Sequence, residues 1–203
     1  MPLSADTVRQ NLERIRSEVG AEVTIVAATK YVSVEELGEL AEAGVDVVGE
    51  NRGQDLASKH ERWGDRFRWH FIGHLQSRKV KDVSQLCELV HSLDSSSAAK
   101  RLSVPALVEV NLAGEESKSG IAPRRLAAFL REVDDLGVEV RGLMTMPPLA
   151  DHPERSRPYF RELRELAGEH GVRELSMGTS QDYRVAVEEG ATLVRLGSVL
   201  YER

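Results

Sequence analysis

The stretch Val23-Thr24-Ile25-Val26-Ala27-Ala28-Thr29-Lys30 decides the fold, because it combines a buried strand with a charged end. Its first six residues are apolar or β-branched, which is typical of a strand buried on both faces of a parallel sheet. A lysine at the carboxyl end of such a strand lies where α/β proteins bind their ligands. Lys30 is therefore either a solvated charge that closes a strand or an amine that binds a carbonyl or an anion.

Seven further segments are predicted as strands, and they alternate with helices along the chain. Strict alternation implies a parallel sheet, and eight βα units in 203 residues favour a (β/α)8 barrel of the TIM type. A helix over 4–19 precedes the first strand, and one domain over 1–203 accounts for the whole sequence. The alternative is an open doubly wound sheet. The predicted strands are 23–30, 46–49, 67–72, 88–92, 105–111, 138–144, 174–177 and 191–196.

The composition restricts the class of protein. Hydrophobic residues make up 41%, charged residues 30%, and the net charge is -6, which fits a soluble protein and argues against a nucleic-acid surface. No apolar run approaches the roughly 18 residues that span a bilayer, and the first residues do not form a secretory signal. Cys87, the single cysteine, lies in an apolar context that indicates a buried thiol. We therefore expect a cytoplasmic protein without a membrane contact.

Glycine and hydroxyl residues follow the last two predicted strands. They form the segments Ser-Met-Gly-Thr-Ser at 176–180 and Arg-Leu-Gly-Ser at 195–198. Barrels often bind phosphate at these two loops, where glycine lets backbone N–H groups approach an anion. Capping of the next helix by Ser180, or tight turning alone, is the alternative interpretation.

The last strand neighbours the first in a closed barrel, so a phosphate site there would face Lys30. A phosphate beside a lysine suits a phosphorylated aldehyde, and pyridoxal 5'-phosphate is the candidate. Arg195 could then face the pyridine nitrogen, where a cation makes the ring a poorer electron sink. The alternative for Arg195 is an ion pair with Glu109 or Glu50.

Several motifs run in a common order with a known family over nearly the whole chain. On these motifs the sequence resembles the pyridoxal phosphate homeostasis proteins, single-domain relatives of the N-terminal barrel of alanine racemase. The stretches Trp-His-Phe-Ile-Gly-His-Leu-Gln and Leu-Ser-Met-Gly are the most specific of them. The motifs are Ala-Ala-Thr-Lys at 27–30, Gly-Glu-Asn at 49–51, the stretch 69–77, Val-Asn at 110–111, the stretch 114–120, Gly-Leu-Met at 142–144, Leu-Ser-Met-Gly at 175–178 and Val-Arg-Leu-Gly at 194–197.

The resemblance implies a role for each matching residue. It makes Lys30 the amine of an internal aldimine, and it places Arg195 at the pyridine nitrogen. The phosphate would be held by Ser180 and by the backbone around Thr179, Gly197 and Ser198. Asn51, His74 and Met177 would form the wall of the pocket.

Other residues compete for these roles. Lys118 is a second lysine near the same mouth and the main rival to Lys30. His70 and His74 are four residues apart, but a strand and a turn do not present them as a metal pair, so no metal site is expected. His70 is interpreted as a hydrogen-bonded barrel residue. Glu115 and Glu116 are either a general acid/base pair or solvated loop charges.

Two functions remain open. The first is a protein that binds the cofactor without strong catalysis, controls its level and passes it to client enzymes that depend on it. The second is an amino-acid racemase, which needs a second base on the opposite face of the substrate. In barrel racemases that base comes from a further domain, which we do not expect here. Tyr31 lies too close to Lys30 in sequence to supply it. We expect a monomer that acts as carrier.

Overall fold

Eight parallel strands close into a barrel in the computed structural model, which describes residues 3–115 and 119–202. Each strand pairs with the next in sequence, and β8 pairs with β1, where Val26 lies opposite Arg195. The predicted barrel is confirmed, and the open sheet is wrong. The strands are β1 Thr24–Ala28, β2 Val47–Glu50, β3 Arg68–Phe71, β4 Leu89–Leu93, β5 Ala106–Glu109, β6 Val140–Met144, β7 Glu174–Thr179 and β8 Leu193–Leu196.

Helices follow the strands and cover the outside of the barrel. The segment after β4 forms only one turn of helix, and a last short helix after β8 was not predicted. Three 3-10 turns lie at 64–66, 77–79 and 153–156. The α-helices are α1 Ala5–Val19, α2 Leu37–Glu42, α3 Gly53–Trp63, α4 Val80–Ser84, α5 Ser96–Ala99, α6 Pro123–Asp135, α7 Arg157–His170, α8 Tyr183–Glu188 and α9 Ser198–Tyr201.

The hydrophobic core has two layers. The larger layer joins the outer faces of the strands to the helices and includes Val48, Val90 and Leu126. A smaller cluster of residues from six strands fills the inside of the barrel. Its members are Val26, Val47, Leu89, Leu107, Met144 and Leu193. Alternate residues of each strand therefore belong to different layers, which fixes the direction of every site residue on a strand.

The amino-terminal helix α1 reaches the carboxyl-terminal end of the barrel. Val8, Leu12 and Ile15 are buried at helical spacing, as the sequence predicts. The backbone N–H of Ala5 donates to Glu39 in α2 at 2.8 Å. The amide of Asn11 donates to the carbonyl of Leu200 in α9 at 3.1 Å. The start of the chain is thereby held beside the loops that follow β1 and β8.

Candidate functional site

A cavity of about 700 Å³ opens at the carboxyl ends of β1, β7 and β8. This volume falls within the roughly 300–1,000 Å³ of small-molecule pockets. The start of α1 and the residues after β8 close one side. Seven of the predicted site residues line the cavity together: Lys30, Asn51, Thr179, Ser180, Arg195, Gly197 and Ser198.

Lys30 lies two residues beyond the end of β1, with an exposed side chain. Its Nζ lies 4.6 Å from the ring centroid of Tyr31, and no hydrogen bond or ion pair of Nζ is found among the residues 3–115 and 119–202. The residue before it is tightly held, because Lys59 donates to the carbonyl of Thr29 at 2.7 Å. An anchored backbone therefore presents an amine that is free to react.

The end of β7 is shaped by Gly178, whose φ of 93° lies in the left-handed region that favours glycine. A Cβ at this position would lie 2.6 Å from the Cβ of Ala186 in α8, so a larger residue would force the helix away. The N–H and hydroxyl of Thr179 both donate to Asp182 Oδ1, at 2.7 and 3.0 Å. This turn directs Ser180 towards β8.

The hydroxyl of Ser180 meets backbone N–H groups of the neighbouring loop. Its oxygen accepts from the N–H of Gly197 at 3.1 Å and from the N–H of Val199 at 3.4 Å. Two N–H donors and a hydroxyl thus converge at one point of the cavity wall. A phosphate oxygen can accept from the same groups, as in other anion-binding concavities of the backbone.

Arg195 points from β8 into the barrel and is only 6% exposed. Its guanidinium donates to Ser176 Oγ, to the carbonyl of Thr145 at 3.0 Å and to the sulfur of Met146 at 3.3 Å. Burial lowers the pKa of Arg195 to about 10, against the attraction of Glu109 and Asp182. The side chain is therefore still a cation at neutral pH.

The ion pair considered for Arg195 is absent from the described part of the chain. Glu50 is paired with Lys59 instead. Glu109 accepts from the hydroxyl of Ser119 at 2.8 Å, and burial raises the pKa of its carboxyl. Arg195 thus faces the cavity as a buried cation without a carboxylate bound to it, which leaves it available to an electron-rich group of a ligand.

Two of the predicted pocket residues do not line this cavity. Met177 is fully buried in the outer layer, because its neighbour Ser176 faces the barrel interior and strand residues alternate. The side chain of Met177 therefore packs in the outer layer, and its predicted role in the pocket wall stays a prediction. His74 lines a separate cavity of about 360 Å³ that shares Asn51 with the first. Its Nδ1 lies 3.9 Å from Asp94 Oδ2.

Several residues of the cavity were not predicted. Tyr201 in α9 lines it, and its hydroxyl donates to the carbonyl of Ala28 at 3.1 Å. Burial and the nearby Glu50 raise the pKa of Tyr201 well above its usual value. Met146, from the loop after β6, lines the other side. Pro147 and Pro148 mark that loop in sequence, but no motif indicates its path.

The remaining candidates have other roles or lie elsewhere. His70 is 2% exposed and hydrogen-bonded inside the barrel, as expected. Cys87 is buried, and desolvation raises the pKa of its thiol to about 12. Residues 3–115 and 119–202 contain no cluster of His, Cys, Asp and Glu that could hold a metal ion. Lys118 and Glu116 lie outside the described residues.

A parallel barrel with a lysine after its first strand and with hydroxyl and backbone N–H groups at one cavity after its last two strands has the architecture of the ligand-binding (β/α)8 barrels. The family model of the alanine racemase N-terminal domain matches residues 3–202. The pyridoxal phosphate homeostasis protein of Aquifex aeolicus (strain VF5) is 42% identical over 194 residues, which cover 87% of this chain and 85% of that relative. The chain belongs to the alanine racemase N-terminal domain family and, within it, to the pyridoxal phosphate homeostasis proteins.

Solved structures agree with this assignment. PipY of Synechococcus elongatus PCC7942, without PLP, superposes with a TM-score of 0.89 at 31% identity and covers 96% of this chain and 100% of its own. The same protein with PLP bound superposes with a TM-score of 0.87. Within the ranges that the structure describes, no helix has the length and apolarity needed to cross a membrane.

Proposed function

We propose that this protein binds pyridoxal 5'-phosphate in the cavity and helps to control its level in the cell, without strong catalysis of its own. The observation that carries the proposal is the convergence of Lys30, Ser180 and Arg195 on one cavity. An amine, a phosphate site and a buried cation are the three groups that a phosphorylated pyridine aldehyde requires. The names of the relatives support the same cofactor.

The residues present fit the cofactor. The N–H groups of Gly197 and Val199, now bound to the Ser180 hydroxyl, supply donors for a phosphate. The Oδ1 of Asn51 is buried at the cavity and has no hydrogen-bond partner among residues 3–115 and 119–202, so it can accept from a donor on a ligand. A free amine, a cation and an orphaned acceptor in one small cavity form a complementary set for this ligand.

In this proposal Lys30 holds the cofactor through an aldimine between its Nζ and the aldehyde carbon. Bound in this way, pyridoxal phosphate supplies an electron sink for carbanions. Arg195 limits that capacity, because a guanidinium beside the pyridine nitrogen disfavours its protonation. The guanidinium therefore makes the bound ring a weaker electron sink than a carboxylate at the same position would.

The two tyrosines of the cavity wall are poorly placed to act as the second base of a racemase. Tyr31 is 86% exposed and adjacent to Lys30 in the chain. Tyr201 donates to a main-chain carbonyl, and its raised pKa opposes deprotonation. Neither tyrosine meets the requirement for a base held opposite Lys30. We infer a carrier role in the cytoplasm, as a monomer that passes the cofactor to client enzymes.

The test is an absorbance spectrum of the purified protein with pyridoxal phosphate, before and after borohydride reduction, followed by peptide mapping. We expect a visible band that reduction removes and a modified Lys30. Lys30→Ala should lose at least about 90% of the trapped cofactor, since the covalent step needs this amine. Lys100→Ala, which removes an exposed lysine outside the cavity, is the control.

Three results would contradict the proposal. Label on Lys118 would move the amine to the rival lysine. An absent band would leave the cavity to another phosphorylated ligand. Racemisation of alanine at rates of about 1 s⁻¹ or more, within the usual range of enzymes, would replace the carrier by an enzyme. Transfer to a client is measured as recovery of activity when the loaded protein is mixed with a cofactor-free aminotransferase.

A further inference from the structure

A chain of buried polar side chains crosses the interior of the barrel and ends at Arg195. The guanidinium of Arg195 donates to Ser176 Oγ, and Ser176 Oγ lies 2.8 Å from His91 Nδ1. His91 Nε2 lies 2.9 Å from His70 Nδ1, and His70 Nε2 lies 3.1 Å from Glu88 Oε1. Ser176, His91 and His70 are at most 2% exposed. Of these residues, the proposed function uses only Arg195.

The two ends of the chain lie at opposite ends of the barrel. Glu88 directly precedes β4, at the amino-terminal opening, and 42% of its side chain is exposed. Arg195 lines the cavity at the carboxyl-terminal end. Ser176 lies on β7 and His91 on β4, which do not pair, so their hydrogen bond spans the barrel interior. The chain therefore connects solvent on one side with the candidate cofactor site on the other.

The end groups set the direction of every hydrogen bond between them. Arg195 can only donate. Hydrogen bonds from His70 and Arg68 lower the pKa of Glu88 to about 2, so its carboxylate can only accept. His91 is neutral, because desolvation by burial lowers its pKa well below the usual value. A neutral imidazole has one donor and one acceptor nitrogen.

Because Arg195 donates to Ser176 Oγ, the Ser176 hydroxyl needs His91 Nδ1 as its acceptor, and only one arrangement then gives every member a partner. His70 Nε2–H donates to Glu88, and His91 Nε2–H donates to His70 Nδ1. The Ser176 hydroxyl then donates to His91 Nδ1, and its oxygen accepts from Arg195. Each of these buried polar atoms has a partner, which is the condition for a stable buried network.

We propose that His91 and His70, with Glu88 as their anchor, are positioning residues that hold the Arg195 guanidinium towards the bound cofactor. They act by fixing the direction of the Ser176 hydroxyl. The proposal rests on the proposed function, because it takes the pyridine ring as the group that Arg195 faces. It adds that a residue at the opposite end of the barrel controls cofactor binding.

The physical reason is the hydrogen of the Ser176 hydroxyl, because the oxygen can accept from two donors but the hydrogen needs an acceptor. If His91 carried its hydrogen on Nδ1, it would donate to Ser176, which would then receive two donors. The serine hydrogen would need a new acceptor in a fully buried place. Arg195 would lose part of its best hydrogen bond, and its position in the cavity would become less defined.

Glu88→Gln tests the proposed role of these hydrogen bonds without changing a residue of the cavity. A glutamine amide can donate to His70 Nε2, which permits the reversed arrangement that the carboxylate excludes. The matched control is Glu139→Gln. Glu139 directly precedes β6, is exposed, and pairs with Arg141 at 2.7 Å, but it contacts neither histidine. Both substitutions remove one exposed carboxylate at the same end of the barrel.

The first readout is the tautomer of each histidine, measured from ¹⁵N shifts of the imidazole rings in the protein without cofactor. We expect the hydrogen of His91 on Nε2 in the natural protein and in Glu139→Gln, and a population with the hydrogen on Nδ1 in Glu88→Gln. A hydrogen on Nδ1 in the natural protein overturns the proposal, as does an unchanged tautomer in Glu88→Gln. This readout does not depend on cofactor binding.

The second readout compares pyridoxal phosphate with its deaza analogue, in which carbon replaces the ring nitrogen. Glu88→Gln should weaken the binding of pyridoxal phosphate about fivefold, the lower end of typical coupling between sites, and shift its absorbance band. The analogue should bind all three proteins alike. If Glu88→Gln weakens the binding of both ligands equally, or if Glu139→Gln shows the same loss of affinity, the proposal is overturned. Failure of the natural protein to bind pyridoxal phosphate refutes the proposed function instead, and the tautomers still decide the arrangement of the chain.

Discussion

Two regions of this barrel treat their polar groups in opposite ways. Beneath the mouth, Lys59 and Glu50 form a buried ion pair, and the hydroxyl of Thr29 donates to the same carboxylate at 2.6 Å. In the cavity above, Lys30 has no hydrogen bond within the described ranges, and the Oδ1 of Asn51 has no partner. Thr29 connects the two lysines, because its carbonyl accepts a hydrogen bond from Lys59 and Lys30 follows it directly in the sequence.

The difference distinguishes polar groups that support the fold from polar groups that are open to a ligand. Buried polar groups cost free energy unless they are paired, so folding selects partners for groups that serve the structure. A group left open in a cavity gains its partner from a ligand. Lys59 and Lys30 illustrate this, because the paired lysine fixes the backbone from which the free lysine projects.

The sharpest test of this comparison is Lys59→Met, which breaks the support and leaves the cavity residues in place. Removal of one partner leaves the Glu50 carboxylate buried without its cation, so we expect a loss of about 3–5 kcal/mol in the free energy of unfolding. Denaturant unfolding measures it. Below the unfolding transition the variant should still trap pyridoxal phosphate on Lys30.

Lys79→Met is the control for this change, because Lys79 forms an exposed pair with Asp82 at 4.0 Å. Lys79→Met should lower the free energy of unfolding by less than about 1 kcal/mol. Adding Glu50→Gln to Lys59→Met should recover part of the stability, since the unpaired charge is then gone. Equal stability of Lys59→Met and the natural protein would show that the pair does not support the mouth.

The fold could be predicted from the sequence because its strands are short, mostly apolar segments that alternate with helices. All eight strands overlap their predicted segments. The same property hides which residues face inward. Met177 was placed in the pocket by the family resemblance, although the alternation of polar and apolar residues in Glu174–Thr179 puts Met177 on the face opposite Ser176. The contact of Ser176 with His91, 85 residues away in the chain, shows which of the two faces is the interior.

The site was predictable where chemistry and position coincide. Lys30 and Arg195 stand at strand ends, and the loops after β7 and β8 carry glycine and hydroxyl residues. Lys59 gives no comparable signal, because it lies in a polar helix where lysine is normally solvated. Its partner Glu50 comes from β2, and the pairing depends on packing between distant segments. The roles of the site residues in cofactor binding remain predictions that the proposed variants test.

Ser180 shares a property with each of the two regions. Its hydroxyl is paired, as in the supporting region, but only with N–H groups of the candidate phosphate site. Ser180→Ala removes one hydrogen bond to a charged group, so we expect about tenfold weaker binding of pyridoxal phosphate. Binding of pyridoxal, which lacks the phosphate, should not change. Fluorescence titration with both ligands measures the ratio.

The control for this variant is Ser58→Ala, which removes an exposed hydroxyl on α3, distant from the cavity. It should leave both affinities unchanged. If Ser180→Ala weakens pyridoxal as strongly as its phosphate, the serine shapes the cavity and does not recognise the phosphate. Position 180 would then belong with the supporting residues beneath the mouth.

The smallest expected effect on stability, and the finest distinction between the regions, comes from Asn51→Ala compared with Thr29→Val. The Asn51 side chain carries an orphaned acceptor, so its removal should change the free energy of unfolding by no more than about 0.5 kcal/mol. The loss of the Thr29 hydroxyl takes a hydrogen bond from a buried carboxylate and should cost about 1–3 kcal/mol. The affinity for pyridoxal phosphate should fall more in Asn51→Ala than in Thr29→Val, which is the reverse of the order expected for stability. A large loss of stability in Asn51→Ala would mean that its amide supports the fold, and the distinction between paired and open groups would fail at the residue that both cavities share.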